Sequence, residues 1–375
     1  MNMQKRSGIE KQIINDPVTG REIWRMTNFD AHDIQPYYDI YPWSPDGSKI
    51  VFSSAPDEGM TRSGKMMVSP HGNVYTMDAV TGEIEWIAGE MSFNSHTGCF
   101  PYWTPDGKYI ICGPSLRGEP RKLVVIDYAT REREEYIGIH PRQMNRQGTK
   151  ILCECDYGID MFDFATREVK HLPSYEEIIS KVPEYDKSYA TIPTACNLKW
   201  NIDGTKFLFR FSFAPGEYMK SLFVANADGT GLRRIEQATA KFHHPNWIPG
   251  TDTILFGDRE ESGAPHHYMV DFDGSNYKMV SSLQLHGHPH VSYDHKYTIT
   301  DNYAGGAGGP YGKSILKYEF ATDTVEVLAS FDVAALPGEN SHPIWRRDNA
   351  QILYNSSHTG RSQLYIIPLD GADIR

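Results

Sequence analysis

The 375-residue chain has only five cysteines, Cys99, Cys112, Cys153, Cys155 and Cys196, and no Cys-x-x-Cys pair. That excludes a dense disulfide framework and the common cysteine zinc sites, so the thiols read as reduced core residues. No apolar run approaches the ~20 residues of a membrane-spanning helix. The start, Met1 to Gln12, lacks the apolar stretch of a secretory signal. Positive charge is also short: 37 Lys and Arg against 48 Asp and Glu give a formal net charge of −11. Nucleic acid, which is held mainly by Lys and Arg on phosphate, is therefore not an expected partner, and neither is a membrane. A local cationic pocket for a small anion is still compatible with that balance. No Gly-x-Ser-x-Gly elbow is present, which argues against a serine peptidase. These absences lead us to expect a cytoplasmic protein, or a periplasmic one for a form whose signal peptide has been trimmed.

What is abundant is turn-forming and aromatic: 32 Gly, 23 Pro and 12% Phe, Trp and Tyr. A phrase recurs in which an aromatic residue, a tight turn and an apolar strand follow one another. Its clearest copies are Tyr41 to Phe52, with Ser44-Pro45-Asp46-Gly47, and Pro101 to Ile111, with Thr104-Pro105-Asp106-Gly107. Weaker copies run Met144–Leu152, Trp200–Leu208, Trp247–Leu255, Val291–Ile299 and Trp345–Leu353. Seven copies spaced by roughly 40–60 residues have the period of four-stranded propeller blades. The seventh ends one strand short at Leu364–Gly371, and Asp16–Thr27 has the missing turn-and-strand form. The expectation is an all-β, single seven-bladed β-propeller spanning residues 1–375, closed by pairing its N- and C-terminal strands. One segment breaks the repeat: residues 174–193 read as a helical lid insertion, with Ser174 as N-cap and Glu177 at capping-box spacing.

In such a propeller the Pro-Asp-Gly turns join innermost to second strands. The approaches to the innermost strands then share the opposite mouth with the loops between second and third strands. Three residues before each aromatic anchor stand Ile40, Phe100, Pro141, Asn197, His244, His288 and His342, so three consecutive blades place histidine at one equivalent point. His243 is adjacent, and His286 and His290 share a strand face with His288 by two-residue periodicity; the alternative is a run that is partly a turn, with only two imidazoles able to chelate. His32 and His96 precede blades one and two. Facing loops offer Arg117, Lys220, Arg259, His266, His267, Tyr303, Tyr311, His358 and Arg361. The 53–72 loop and the lid segment are expected to overhang this mouth. A single such histidine is ordinarily a hydrogen-bonded structural residue; three in register are more readily explained by a site. The Gly305–Gly309 run lacks the strand–helix context of a phosphate loop and reads as a loop.

The Ser-Pro-Asp-Gly repeats resemble the propellers of TolB and of prolyl-oligopeptidase-type peptidases, which speaks only to fold. His244-Pro-Asn-Trp247, His288-Pro-His290 and His342-Pro-Ile-Trp345 resemble oligogalacturonate lyase, of polysaccharide lyase family twenty-two. That resemblance implies a metal-assisted β-elimination on an acidic oligosaccharide, with His244 as the base. It implies metal-binding roles for His288 and His342, with Asn340 standing where a further histidine is expected and His290 nearby. Lys220 falls where the family has a carboxylate-binding arginine. Substrate contacts are expected from His32, His96, Arg117, His243, Tyr303, Tyr311, His358 and Arg361. The cofactor expected is a divalent metal, manganese first, with calcium or zinc as alternatives.

The chemistry suits these residue types. A uronate lyase removes the proton on C5, α to a carboxylate, and a cation must stabilise the charge that develops. A neutral imidazole is a suitable base near neutral pH and also a good ligand for Mn²⁺ or Zn²⁺. Two other readings compete: a non-catalytic TolB-like propeller binding a peptide or glycan at the channel mouth, and a metal-dependent hydrolase.

Overall fold

The structure is a computed structural model, and it describes residues 6–114, 119–186, 188, 193–213, 219–259, 263–281, 283–302, 311–333 and 335–369. It is all-β, with seven antiparallel sheets of four strands or more, which makes the seven-bladed β-propeller expected from the repeats. The sheets fall into two compact units. Met1–Gly138 with His290–Arg375 carries blades one, two, six and seven, and Ile139–Pro289 carries blades three, four and five.

Each blade is a meander whose registers follow from its turns. In blade four the strands Thr194–Trp200, Lys206–Ser212, Lys220–Asn226 and Arg233–Arg234 pair in chain order. In blade one the Pro-Asp-Gly turn works as expected. Gly47 takes φ +75°, and the Asp46 carboxylate accepts from the Ser48 backbone N–H at 3.0 Å, so the chain reverses directly into Lys49–Ala55. Apolar faces of neighbouring blades pack on each other. Leu208, Leu222 and Val224 of blade four meet Phe242, Trp247, Ile254 and Phe256 of blade five. Three of the anchor tryptophans are also used as latches, their indole N–H donating to the carbonyl one residue before the preceding blade's anchor. Trp200 donates to Gln143, Trp247 to Lys199 and Trp345 to His290, each at 3.1 Å.

Blade seven is completed by the start of the chain. Glu22–Arg25 pairs with Gln363–Pro368, placing Trp24 opposite Ile366 and Arg25 opposite Tyr365. Asp16 reinforces the junction. Its buried carboxylate accepts from the Ser330 N–H at 2.8 Å and from Ser330 Oγ at 2.7 Å. A strand Gly8–Ile9 extends blade one, and Arg6 beside it makes a buried bidentate pair with Asp33, at 2.7 and 2.9 Å.

The helix is short, Tyr175–Ile179, and carries the capping box read from Ser174 and Glu177. Ile178 and Val182 are buried in the core beside Phe211 and Phe213. The 53–72 loop differs from expectation. Most of it is strand, with Thr61–Ser63 pairing onto the long strand Met66–Asp78.

Candidate active site

The geometry of the histidine column begins with a fault in the innermost strands. In blade five, His243–Trp247 pairs with Thr253–Arg259 as His243 opposite Gly257 and then Asn246 opposite Leu255, so the register skips His244 and Pro245. The same slip occurs between Cys196 and Lys199 in blade four and between Pro141 and Gln143 in blade three. At the slip the backbone turns left-handed: φ is +48° at His244 and +56° at Asn197. In the other unit the equivalent residues Phe100 and His342 take +57° and +50°. Non-glycine residues reach this region at a cost, with Asn and His among those that visit it more readily, and such strain concentrates at functional positions.

In the unit Ile139–Pro289 the slip brings a set of imidazoles together. His244 Nδ1 donates to the Gly287 carbonyl at 3.0 Å, which fixes the tautomer and leaves Nε2 with the lone pair. Its ring stacks on His288, centroids 3.8 Å apart. His243 lies 5.0 Å from His244 and 4.9 Å from His286. Arg259 Nη2 donates to His286 Nε2 at 3.2 Å, so His286 carries its proton on Nδ1. His267, opposite Gly257 on the far side, is fully buried, and among the described residues neither its ring nitrogens nor those of His243 find a hydrogen-bond partner. His266 Nδ1 donates to the Leu283 carbonyl at 3.0 Å. Lys220 opens its strand opposite Ser212, and its charge acts on His243.

Three of these imidazoles are held toward the neutral form. Burial, then the neighbouring His288 and His243, push His244 well below the usual imidazole pKa. His243 is likewise depressed by burial and then by His286, His267, His288 and Lys220. Burial, followed by His286 and His266, brings His267 down to about 3.

Gly257 explains how so many rings fit. A Cβ there would stand 2.0 Å from His243 Cε1 and 2.4 Å from Nδ1, so the imidazole lies directly over the glycine. Gly257→Ala must expel the His243 ring. The expected result is a loss of about 1–3 kcal/mol, the usual cost of overpacking, read as a lower urea midpoint. A displaced His243 signal in the imidazole NMR spectrum should accompany it; an unchanged spectrum would show that the ring is not seated there.

The unit holding both chain ends carries a second cluster. His342 lies edge-on to His96 at 4.8 Å and to Tyr37 at 4.6 Å. Its backbone N–H donates to Asp301 at 3.1 Å, and its carbonyl accepts from Gln35 Nε2 at 2.6 Å. His96 Nδ1 meets the Gly338 carbonyl at 2.9 Å and Asn340 Nδ2 at 3.3 Å. His32 and Arg361 are joined through Asp57. His32 Nε2 donates to Asp57 at 2.7 Å, and Arg361 pairs with Asp57 and, at 2.6 Å, with Asp30. His358 is exposed, 3.5 Å from Ser330 Oγ, and the Tyr311 carbonyl accepts from Ser314 at 2.6 Å. Arg117, Tyr303 and the Gly305–Gly309 run lie outside the described residues.

The sequence periodicity fails at one place. His286, His288 and His290 do not alternate along one strand, because the strand begins only at His290. Gly287, at φ +103°, and Pro289, which lacks an N–H, break the extended run. His286 therefore packs on His243, His288 on His244, and His290 lies near Tyr293. Tyr37, Tyr38, Gln35 and Asp301 around His342 were not anticipated. The Tyr37-Tyr38 doublet just before the first anchor was their one visible signal.

Among the described residues no three or more His, Cys, Asp or Glu side chains converge to hold a metal ion. Histidines, whose imidazoles suit a divalent metal, occur in both units.

No protein-family model matches the chain, and no curated protein does. Solved structures do. Oligogalacturonate lyase in complex with manganese is similar at a TM-score of 0.75 and 17% identity, over 98% of each chain. Oligogalacturonate lyase from Vibrio parahaemolyticus is similar at 0.73 and 14% identity, covering 98% of this chain and 99% of that one. The β-propeller domain of the Trilobed protease from Pyrococcus furiosus follows at 0.53 and 12% identity, covering 92% and 97%. At these identities the likeness is one of fold, and over its whole length the chain is built like an oligogalacturonate lyase.

Proposed function

We propose that the protein is a lyase that cleaves short uronate-containing oligosaccharides by β-elimination. The observation that carries this reading is His244: a neutral imidazole, held left-handed at φ +48°, whose Nδ1–H is committed to the Gly287 carbonyl. Nε2 then takes the C5 proton, and the Gly287 carbonyl stabilises the imidazolium that forms. The electron pair left on C5 builds the C4–C5 double bond and expels the C4 oxygen, which leaves as an alcohol after protonation from solvent. Lys220 holds the uronate carboxylate and stabilises the enolate-like charge, as a point charge and not as a bidentate fork. The carboxylate in turn raises the pKa of His244 from its depressed value, which strengthens the base once substrate is bound. Likeness in fold to oligogalacturonate lyase supports the acidic-sugar substrate class. No step here passes through a metal.

The test is ultraviolet absorbance of the purified protein with galacturonate, glucuronate and rhamnose-linked uronate oligosaccharides, with and without Mn²⁺ or Ca²⁺. A rising signal from the C4–C5 unsaturated product is expected. Saturated products would indicate a hydrolase, and silence across the panel would favour a propeller that only binds.

A further inference from the structure

Lys199 is, among the described residues, the one lysine buried completely, at 1% exposure. Putting an ammonium out of reach of water costs several kcal/mol unless it gains strong partners. The latch at this place does not require it. The Trp247 indole binds the Lys199 backbone carbonyl, and the same contact is made by the carbonyls of Gln143 and His290 in other blades. The ammonium therefore serves something else. Lys199 Nζ donates to the carbonyl of Pro245, the residue after His244 and inside the register slip. Lys199 thus grips the slipped segment twice, by its own carbonyl at Trp247 and by its ammonium at Pro245.

We propose that Lys199 is a positioning residue for His244: its ammonium clamps the Pro245 carbonyl, holds the left-handed peptide of the slip, and so keeps the His244 ring on Gly287 with Nε2 directed away. The role of His244 as base rests on the lyase reading; the clamp does not.

Two variants separate the clamp from simple packing. Lys199→Met keeps the length and loses both charge and donor. Lys199→Gln keeps a donor but no charge, and it is the variant to read if Lys199→Met does not fold. Imidazole ¹⁵N NMR of His244 reports its tautomer with no need for a substrate. In the wild type a single Nδ1–H tautomer is expected. Lys199→Met should show both tautomers, and Lys199→Gln a smaller share of the second. If the lyase reading holds, kcat in Lys199→Met should fall about 10- to 100-fold with KM nearly unchanged, as for a misaligned catalytic group. A folded variant whose His244 shows only the wild-type Nδ1–H tautomer would overturn the proposal, whatever its effect on stability. Absence of lyase activity in the wild type would remove the functional reading and leave the NMR result to decide the clamp.

Discussion

His244→Ala is expected to lower turnover of the cleaved uronate oligosaccharide by about 10²–10⁴-fold, the range that a positioned general base supplies. The size of the effect follows from geometry. Gly287 fixes which nitrogen is basic, and His288 covers one face of the ring at 3.8 Å, so no solvent molecule substitutes at the same place and orientation. The fold should survive. His244 sits in the slip, outside the paired register, although alanine at φ +48° carries somewhat more strain than histidine. His244→Asn makes the better control, because asparagine visits this backbone region more readily than alanine. Both variants should retain the wild-type circular dichroism and urea midpoint within about 1 kcal/mol. The decisive measurement is the initial rate of unsaturated product formation. If His244→Asn kept more than a tenth of the wild-type rate, the base would have to be another residue.

Acid should unfold this protein earlier than its carboxylates alone would. The sign is set by which state binds more protons. His243, His244 and His267 have folded pKa values below their unfolded value of about 6.5, as does His32, for which burial outweighs the Asp57 carboxylate. Below pH 6.5 the unfolded chain takes up protons that the folded chain refuses, so stability falls with pH. Each such group contributes up to about 1.4 kcal/mol per pH unit. His267, at about 3 when folded, alone removes about 2 kcal/mol by pH 5. Glu339 opposes them. Burial raises its pKa to about 7 from an ordinary 4.5, which adds stability as pH falls across that window. Four histidines outweigh one glutamate. Urea midpoints at pH 7.5, 6 and 5 should therefore decline steeply, and His267→Gln should flatten the slope. A level profile between pH 7 and 5 would mean that the cluster is hydrated and titrates normally.

The repeat made the architecture legible because tight turns and aromatic anchors are local signals. Ser44–Gly47 and Thr104–Gly107 specify hairpins wherever they occur, and the short seventh unit matched Asp16–Thr27 in form. The capping box at Ser174 and Glu177 was equally local. The column of residues three before each anchor could also be counted. Its meaning could not, because neither the left-handed backbone nor the pairing slip is revealed by spacing within one strand. Gly257 looked like an ordinary strand glycine until the imidazole above it was placed. Lys199 gave no sign at all: a lysine in an apolar strand usually faces water, and only its burial against Pro245 marks it. In the His286–His290 run the partial turn, and not the alternating strand, is what forms, because Gly287 and Pro289 prevent a strand.

The left-handed slot at the slip has a consequence for how such a protein can change. Four blades offer the same backbone conformation at one equivalent point, occupied by Phe100, Asn197, His244 and His342. Because the backbone conformation is shared and Asn and His both visit it more readily than most residues, exchanging one of these side chains for the other alters chemistry with little structural penalty. Asn197→His, for example, would place a further imidazole on a backbone already shaped to receive it. The scaffold thus behaves as a set of interchangeable sockets, through which a lineage can move, multiply or discard its reactive groups one substitution at a time.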